Sequence, residues 1–186
     1  MADRSNLIIF LLLLCGLAIN ILTITTWDMS LIANDGIQYL STARNWLAGN
    51  GFSTEVLMYA PHFQETIPAA QTVWPPGQPL AIALVSKLGI SLENAALILN
   101  LVMHAAASFV MYLVLLKLGV EKFFAIVCTF AFYFLALPWS YVSAGIAEPI
   151  ATTALLGALL FLPTPNKSPL LTWVICGVLM LSLIHI

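Results

Sequence analysis

Residues 27–80 begin WDMSLIANDGIQYLSTARNWLAGNGFS and end TVWPPGQPL, and this polar stretch lies between long apolar runs. The whole chain is 61% hydrophobic and only 8% charged, with a mean hydropathy of +1.01. Apolar runs near the ~20 residues that cross about 30 Å of hydrocarbon recur along it. Such a composition is typical of membrane proteins. The sequence therefore predicts a membrane protein with one large polar loop.

The apolar runs predict an all-α polytopic membrane protein. Four runs read as spanning or nearly spanning helices and a fifth follows them: residues 7–26, 95–116, 123–139, 144–162 and 170 onward. The first run is longer than the ~7–15-residue apolar core of a secretory signal, so we interpret it as a signal anchor. Residues 27–94 form the outer loop, in which the short apolar stretch 79–90 favours an interfacial or re-entrant helix over a crossing one.

The positions of the basic residues predict the orientation. If residues 79–90 do not cross, four of the six basic residues fall on one side of the membrane: Arg4, Lys117, Lys122 and Lys167. This distribution follows the positive-inside rule, whereas a crossing would move Lys117 and Lys122 to the outside. The same topology places Asp35 and Glu148 on the outer face.

The charges and cysteines exclude several classes of partner. Six basic and eight acidic residues give a net charge of −2, which is too small and too dispersed for a nucleic-acid interface. The cysteines Cys15, Cys128 and Cys176 lie in apolar runs, and their spacing matches no zinc or redox motif. We predict no disulfide, no metal site and no cofactor from them, and the sequence leaves a requirement for a divalent metal open. Membrane lipids are the expected surroundings.

A short helix is predicted inside the loop. The sequence Asn34-Asp35-Gly36 resembles a helix start, and the helix should run to Leu47 and end at the glycines that follow. Helical periodicity places four residues on one face: Asp35, Tyr39, Ala43 and Trp46. The opposite side carries Ile37, Leu40, Arg44 and Leu47. This amphipathic pattern predicts a helix that lies along the membrane surface.

Short motifs follow the first apolar run in a fixed order. They are DGIQYLSTA from Asp35, GNGFS from Gly49, WPPGQPL from Trp74 and AEP ending at Pro149. In this order they resemble the GT-C glycosyltransferase superfamily, in particular the bacterial relatives of the dolichyl-phosphate-mannose-protein mannosyltransferases and aminoarabinose transferases that share an RgtA/B/C/D-like domain. The resemblance covers residues 5–162, the N-terminal part of such an enzyme. It implies a GT-C-type transmembrane helix bundle whose large first outer loop carries short amphipathic helices.

The resemblance also implies an activity. Such enzymes transfer a sugar, with inversion, from a polyprenyl-phosphate donor to a lipid, glycan or protein acceptor at the periplasmic face of the bacterial inner membrane. The catalytic acid of the first outer loop corresponds to Asp35. Trp74 is expected to stack on the sugar, and Tyr39 to bind substrate beside Asp35. The chain departs from the family at Gln78, where a tyrosine is usual, and no residues that bind the donor phosphate stand out.

Each acid also has a plain structural interpretation. A general-base carboxylate takes the proton from an attacking hydroxyl, but Asp35 at a helix start also fits a capping role. Glu148 precedes Pro149 at the start of an apolar helix, where a carboxylate complements the helix dipole. As a catalytic residue it would be a supporting acid. Asp28 is the third candidate, and otherwise a solvated residue at the membrane interface.

A polar stripe lies within the predicted helix 95–116. Asn100, His104 and Ser108 recur at intervals of four residues and therefore share one face. Polar residues in a span usually hydrogen-bond neighbouring helices, so packing is favoured over a polar wall near a headgroup or acceptor. Two other functions stay open: a transporter or flippase, whose pathway such a stripe would line, and a non-catalytic membrane assembly subunit, in which the acids are caps and solvated groups.

The last residues form a separate feature. Residues 181–186 read LSLIHI, which resembles the translation of a transposase sequencing adapter, within the apolar run that begins near residue 170. We therefore expect residues 1–180 to be the N-terminal part of a longer GT-C-like domain, and the last six residues to carry no biological information.

Overall fold

The computed structural model describes residues 7–9, 11–18, 34–56, 67–134, 142, 145–162 and 170–185. Their secondary structure is seven helices and one short hairpin. The helices are α1 within Leu7–Ala18, α2 Asn34–Leu47, α3 Gly77–Ser86, α4 Leu92–Lys117, α5 Lys122–Phe134, α6 Glu148–Leu160 and α7 Leu170–His185. Strands β1 (Ser53–Thr54) and β2 (Ala69–Ala70) pair antiparallel, with Ser53 opposite Ala70 and Thr54 opposite Ala69.

Helix α4 is the central element. It packs against α2, α3, α5 and α6, while α2 also packs on α3, and α6 on α7. The helix begins at Leu92 because Ser91 caps it, with the hydroxyl accepting a hydrogen bond of 3.2 Å from the backbone N–H of Asn94. At the other end Gly119 adopts a positive φ of 81°, a backbone conformation that favours glycine and ends the helix.

Two separate apolar clusters line α4. The first joins α2, α3 and the N-terminal half of α4, through Tyr39, Leu40, Ala43, Ile82, Ala83, Ala95, Ala96 and Leu99. The second joins α1, α5 and the C-terminal half of α4, through Ile9, Leu13, Ala105, Tyr112, Ala125 and Tyr133. Of the predicted site residues that the structure describes, Tyr39 belongs to the first cluster and Trp74 packs against it, so the site rests on the N-terminal half of α4.

Helix α2 has the predicted bounds, and its periodic face of Tyr39, Ala43 and Trp46 packs into the first cluster. A second, polar face is also buried, and it carries Gln38, Ser41, Thr42 and Asn45. This face holds the hairpin: Asn45 Nδ2 donates to the Ser53 carbonyl (3.3 Å), the Glu55 N–H donates to Ser41 Oγ (2.9 Å), and Gln71 Nε2 donates to Thr42 Oγ1 (3.3 Å). Leu40, expected on the membrane-facing side, is buried.

The prediction of a polytopic GT-C-type bundle is wrong. Among the described residues, only α4 is long and apolar enough to cross a membrane. The 13 residues of α5 and the 13 of α6 extend about 20 Å each at 1.5 Å per residue, short of the ~30 Å of hydrocarbon. Hydropathy misled the prediction because short apolar helices packed around a centre have the same composition as parts of a span. The chain is a small, mostly helical protein.

Helix α4 and the exposed apolar side chains both bear on membrane association. The most apolar window of α4 is 56% buried inside the protein, and the central helix of a soluble protein can have the same length and composition. Many large apolar side chains are nevertheless exposed on the outer helices, including Phe123 (62%) on α5 and Leu170 (78%) on α7. Extended apolar surface of this kind marks contact with lipid or with another protein.

Candidate functional site

The first turns of α2 carry Asp35 and Tyr39. The two residues are four apart and therefore lie on the same side of the helix. Asp35 is half-buried, whereas the Tyr39 side chain is only 4% exposed and belongs to the first apolar cluster. Asp35 thus stands at the solvent edge of a buried aromatic residue, where a ligand can reach it.

Trp74 meets Tyr39 from the loop before α3. The two ring centroids are 6.0 Å apart and the rings are inclined at 68°, an edge-to-face contact. Trp74 is half-buried and packs on the same cluster as Tyr39. The two predicted substrate-binding residues, 35 positions apart in the sequence, are therefore in direct contact.

Glu148 opens α6 and is brought to the same place. Its neighbours Ala147 and Ile150 pack on the cluster that contains Tyr39. Pro149 is buried in the first turn, while the Glu148 side chain is exposed. The carboxylate therefore projects from a fixed helix start beside the α2 aromatic residue.

The charges of both acids affect the pKa of Tyr39. Burial raises the pKa of the Tyr39 hydroxyl to about 12, and the negative charges of Asp35 and then Glu148 add to the effect. A phenolate would lose its hydration and meet two like charges, so the neutral form is favoured. Tyr39 is protonated at physiological pH, as an ordinary tyrosine is, and the raised pKa extends this protonated form to higher pH.

A buried amide pair supports the segment that precedes Glu148. Gln78 Nε2 donates to Asn100 Oδ1 (3.1 Å) and to the carbonyls of Ile146 (3.3 Å) and Gly145 (3.5 Å). Asn100 Nδ2 donates to the same Ile146 carbonyl at 2.8 Å. Sequence analysis missed this pair and noted Gln78 only as a departure from the family. A signal was available, because an amide within an apolar helix needs a partner.

The polar stripe of α4 is used in packing. Asn100, His104 and Ser108 are all buried. His104 Nε2 lies 3.0 Å from the Tyr133 carbonyl and its ring stacks on that of Tyr133, while Ser108 Oγ donates to the His104 carbonyl at 2.9 Å. The stripe thus bonds to neighbouring protein groups, which confirms the packing interpretation and gives no support to a transport pathway along it.

Other charged side chains of the described residues have contacts of their own. Asp28 lies outside the described residues. Within the described ranges no three His, Cys, Asp or Glu side chains are grouped so as to hold a metal ion. Arg44, nine residues beyond Asp35 and so about 14 Å along α2, lies 3.9 Å from Glu93. Lys87 Nζ sits over the Trp46 ring at 5.3 Å.

The assembled site consists of two acids that contact solvent, a protonated tyrosine and an indole ring. A solvent-accessible carboxylate can accept a proton from a hydroxyl nucleophile, and an aromatic face beside it suits the apolar face of a sugar ring. The arrangement is thus equipped for proton transfer to and from a hydroxylated ligand. No protein-family model, curated protein or solved structure matches this chain.

Proposed function

We propose that this chain carries the site of a membrane-associated glycosyltransferase, which moves a sugar from a polyprenyl-phosphate donor to a hydroxyl-bearing lipid, glycan or protein. One observation carries the proposal: Asp35 lies one helical turn before Tyr39 on α2, and Glu148 begins α6, whose first turn packs on the cluster that holds Tyr39 and Trp74. The order of motifs that resembles GT-C glycosyltransferases gives this arrangement its chemical interpretation. The fold of that superfamily is not part of the proposal.

Asp35 acts as the general base in the proposed reaction. The acceptor hydroxyl oxygen attacks the anomeric carbon of the donor and forms the new glycosidic bond. The bond from that carbon to the phosphate oxygen breaks, and its electron pair leaves with the polyprenyl phosphate. Asp35 takes the hydroxyl proton, a contribution of about 10²–10⁴-fold for a well-placed carboxylate. Attack opposite the leaving group inverts the anomeric centre.

The other side chains bind and orient the substrate. Trp74 offers its indole face to the sugar ring. The Tyr39 hydroxyl, which is protonated at physiological pH, donates a hydrogen bond to a substrate oxygen. Glu148 is the supporting acid, and it accepts hydrogen bonds from sugar hydroxyls.

The exposed apolar side chains support a location at a membrane. Those of α1, α5 and α7 include Leu11, Phe123, Phe124, Leu171 and Trp173, each roughly half or more exposed. A lipid-anchored sugar donor lies in the membrane, where these apolar side chains would place the protein. We propose the outer face of the bacterial inner membrane as the location, on the basis of the resemblance alone.

The test compares acid-to-amide variants of the purified chain in lipid nanodiscs. The probe is a panel of polyprenyl-phosphate hexoses and pentoses, and the readout is release of free polyprenyl phosphate. Asp35→Asn should lose about 10²–10⁴-fold in rate, while Glu55→Gln, an exposed acid beyond the hairpin strand, should retain the full rate. Asp28→Asn tests the third candidate. Undiminished transfer by Asp35→Asn would refute the assignment of the base.

A further inference from the structure

The segment that leads into α6 is held by side chains from two other helices. Gln78 of α3 and Asn100 of α4 are both 0% exposed. Between them they make four hydrogen bonds of 2.8–3.5 Å, which join each amide to the other and to the carbonyls of residues 145 and 146. The Ile146 carbonyl accepts from both amides. We call these two side chains the amide clamp.

The orientation of the Gln78 amide is determined by its surroundings. Its Nε2 faces three oxygen atoms, those of Asn100 Oδ1 and of two backbone carbonyls. Turning the amide over would bring Oε1 against the same three acceptors, so only one orientation is compatible with hydrogen bonding. The clamp therefore holds the backbone of residues 145 and 146 through directional hydrogen bonds.

Packing alone does not explain a glutamine at this position. Within the described part of the chain, no donor reaches Gln78 Oε1, which is buried without a hydrogen-bond partner. An apolar side chain of the same length would avoid this one unsatisfied acceptor, but it would take the donor away from Asn100 Oδ1 and from the two backbone carbonyls. The glutamine therefore leaves one buried acceptor unsatisfied, and its Nε2 in turn supplies hydrogen bonds to the two backbone carbonyls.

Those carbonyls lie directly before Glu148. Gly145 has a positive φ of 70°, and α6 starts three residues later with Pro149 buried and the Ala151 N–H bonded to the Ala147 carbonyl at 3.0 Å. A glycine at this point gives the backbone freedom to move. The clamp removes that freedom one residue further on, at Ile146, and so fixes where the first turn of α6 begins.

We propose that Gln78 is a positioning residue, whose amide, together with that of Asn100, holds the start of α6 so that Glu148 faces the Asp35–Tyr39–Trp74 site. The proposal rests on the proposed function for its consequence in catalysis. The position of the Glu148 carboxylate relative to Tyr39 can be tested whether or not the chain has that activity. Gln78 also follows Trp74 by four residues, so the clamp ties the start of α6 to the loop that carries the indole.

The decisive experiment uses Gln78→Met, which keeps the length of the side chain and removes its donor. The readout is the ionisation of Tyr39, measured as tyrosinate absorbance after a rapid pH jump and corrected with Tyr39→Phe. Because Glu148 raises the pKa of Tyr39, displacement of Glu148 should shift this ionisation to lower pH. Glu148→Gln removes the negative charge itself and therefore gives the largest shift of the Tyr39 ionisation that displacement of Glu148 can produce. Gln71→Met, which removes the hydrogen bonds of this side chain to Thr42 Oγ1 of α2 and to the Val73 N–H and leaves the start of α6 untouched, is the matched control and should titrate like the wild type.

The double variant separates positioning from general loosening. If Gln78 acts through Glu148, then Gln78→Met combined with Glu148→Gln should titrate like Glu148→Gln alone, since the two changes share one mechanism. Additive shifts, or a Gln78→Met variant that titrates like the wild type, would overturn the proposal. Should Gln78→Met fail to fold, as judged by its helical circular dichroism, Asn100→Leu removes the clamp from the other side and is held to the same criteria.

Kinetics then distinguish this proposal from the proposed function. In an active enzyme Gln78→Met should lower kcat by about 10²-fold, the order expected for a displacement of ~1 Å, with a small change in KM. A wild-type chain that shows no transfer, together with the predicted titrations, would refute transfer by this chain and leave the clamp standing. An unchanged kcat in an active enzyme would refute the role of the clamp in catalysis.

Discussion

Replacing Tyr39 with phenylalanine should remove a loss of stability that the wild-type protein suffers at high pH. The pKa of Tyr39 is about 12 in the folded protein and 10 in its ordinary state. Between these two values the unfolded chain releases the proton while the folded protein retains it. The unfolded state then binds fewer protons, so the free energy of unfolding falls as the pH rises. Below pH 10 the hydroxyl is protonated in both states, and it contributes no slope.

The size of the effect follows from the size of the shift. Two pKa units correspond to about 2.7 kcal/mol at 1.36 kcal/mol each, which is an upper limit because the two carboxylates contact solvent and are screened by it. We expect the wild type to lose about 1–2 kcal/mol more than Tyr39→Phe across this range. The other tyrosines and the lysines titrate equally in both proteins and cancel in the difference.

The assay is denaturant unfolding followed by circular dichroism at a series of pH values up to about 12, with the two proteins measured in parallel. Curves of stability against pH that converge toward high pH would support the argument. Parallel curves would refute it, because they would mean that Tyr39 ionises as readily in the folded protein as in the unfolded chain. Glu148→Gln should show a smaller high-pH loss than the wild type, since one of the opposing charges is gone.

Two further predictions concern the framework of the site. Ile82→Ala should lower the free energy of unfolding by about 2–4 kcal/mol, because Ile82 is 0% exposed in the first cluster. Leu88 is 80% exposed, so Leu88→Ala should change it by less than about 0.5 kcal/mol. Equal effects of the two substitutions in denaturant unfolding would contradict the assigned core. Lys117 Nζ donates to the carbonyls of Leu160 and Leu162 at 2.7 and 2.9 Å, so Lys117→Met should cost about 1 kcal/mol and speed amide exchange at the end of α6. Unaltered exchange there would show that Lys117 does not stabilise this end of the helix.

Local signals were enough to predict α2. The start at Asn34, the end at Leu47 and the glycines beyond it all match the structure, with positive φ values of 83° at Gly49 and 70° at Gly51. Such features depend on neighbours a few residues away, which the sequence displays directly. The same holds for the four-residue period that brings Tyr39 into the core.

Features that depend on distant residues could not be derived in this way. The helices α5 and α6 have 13 residues each, and hydropathy does not distinguish such helices from parts of a span. The contact between Gln78 and Asn100 joins residues of two different helices, and no local pattern indicates it. Asp35 and Glu148 were expected on one side through a topology of several spans. They do converge on Tyr39, but because α2 and α6 both pack against α4.

The division of α4 into two apolar clusters also orders events during synthesis. Helices α2, α3 and α4 are consecutive, so Tyr39 and Trp74 can come together as soon as residue 117 has left the ribosome. Glu148 emerges 31 residues later, a delay of roughly 2–6 seconds at typical elongation rates. During that interval the nascent chain contains the Tyr39–Trp74 pair and Asp35 but not Glu148. Of the partners described above, the Gln78 amide then has Asn100 alone. The arrival of α6 is therefore the event that converts a packed aromatic surface into a complete two-carboxylate site.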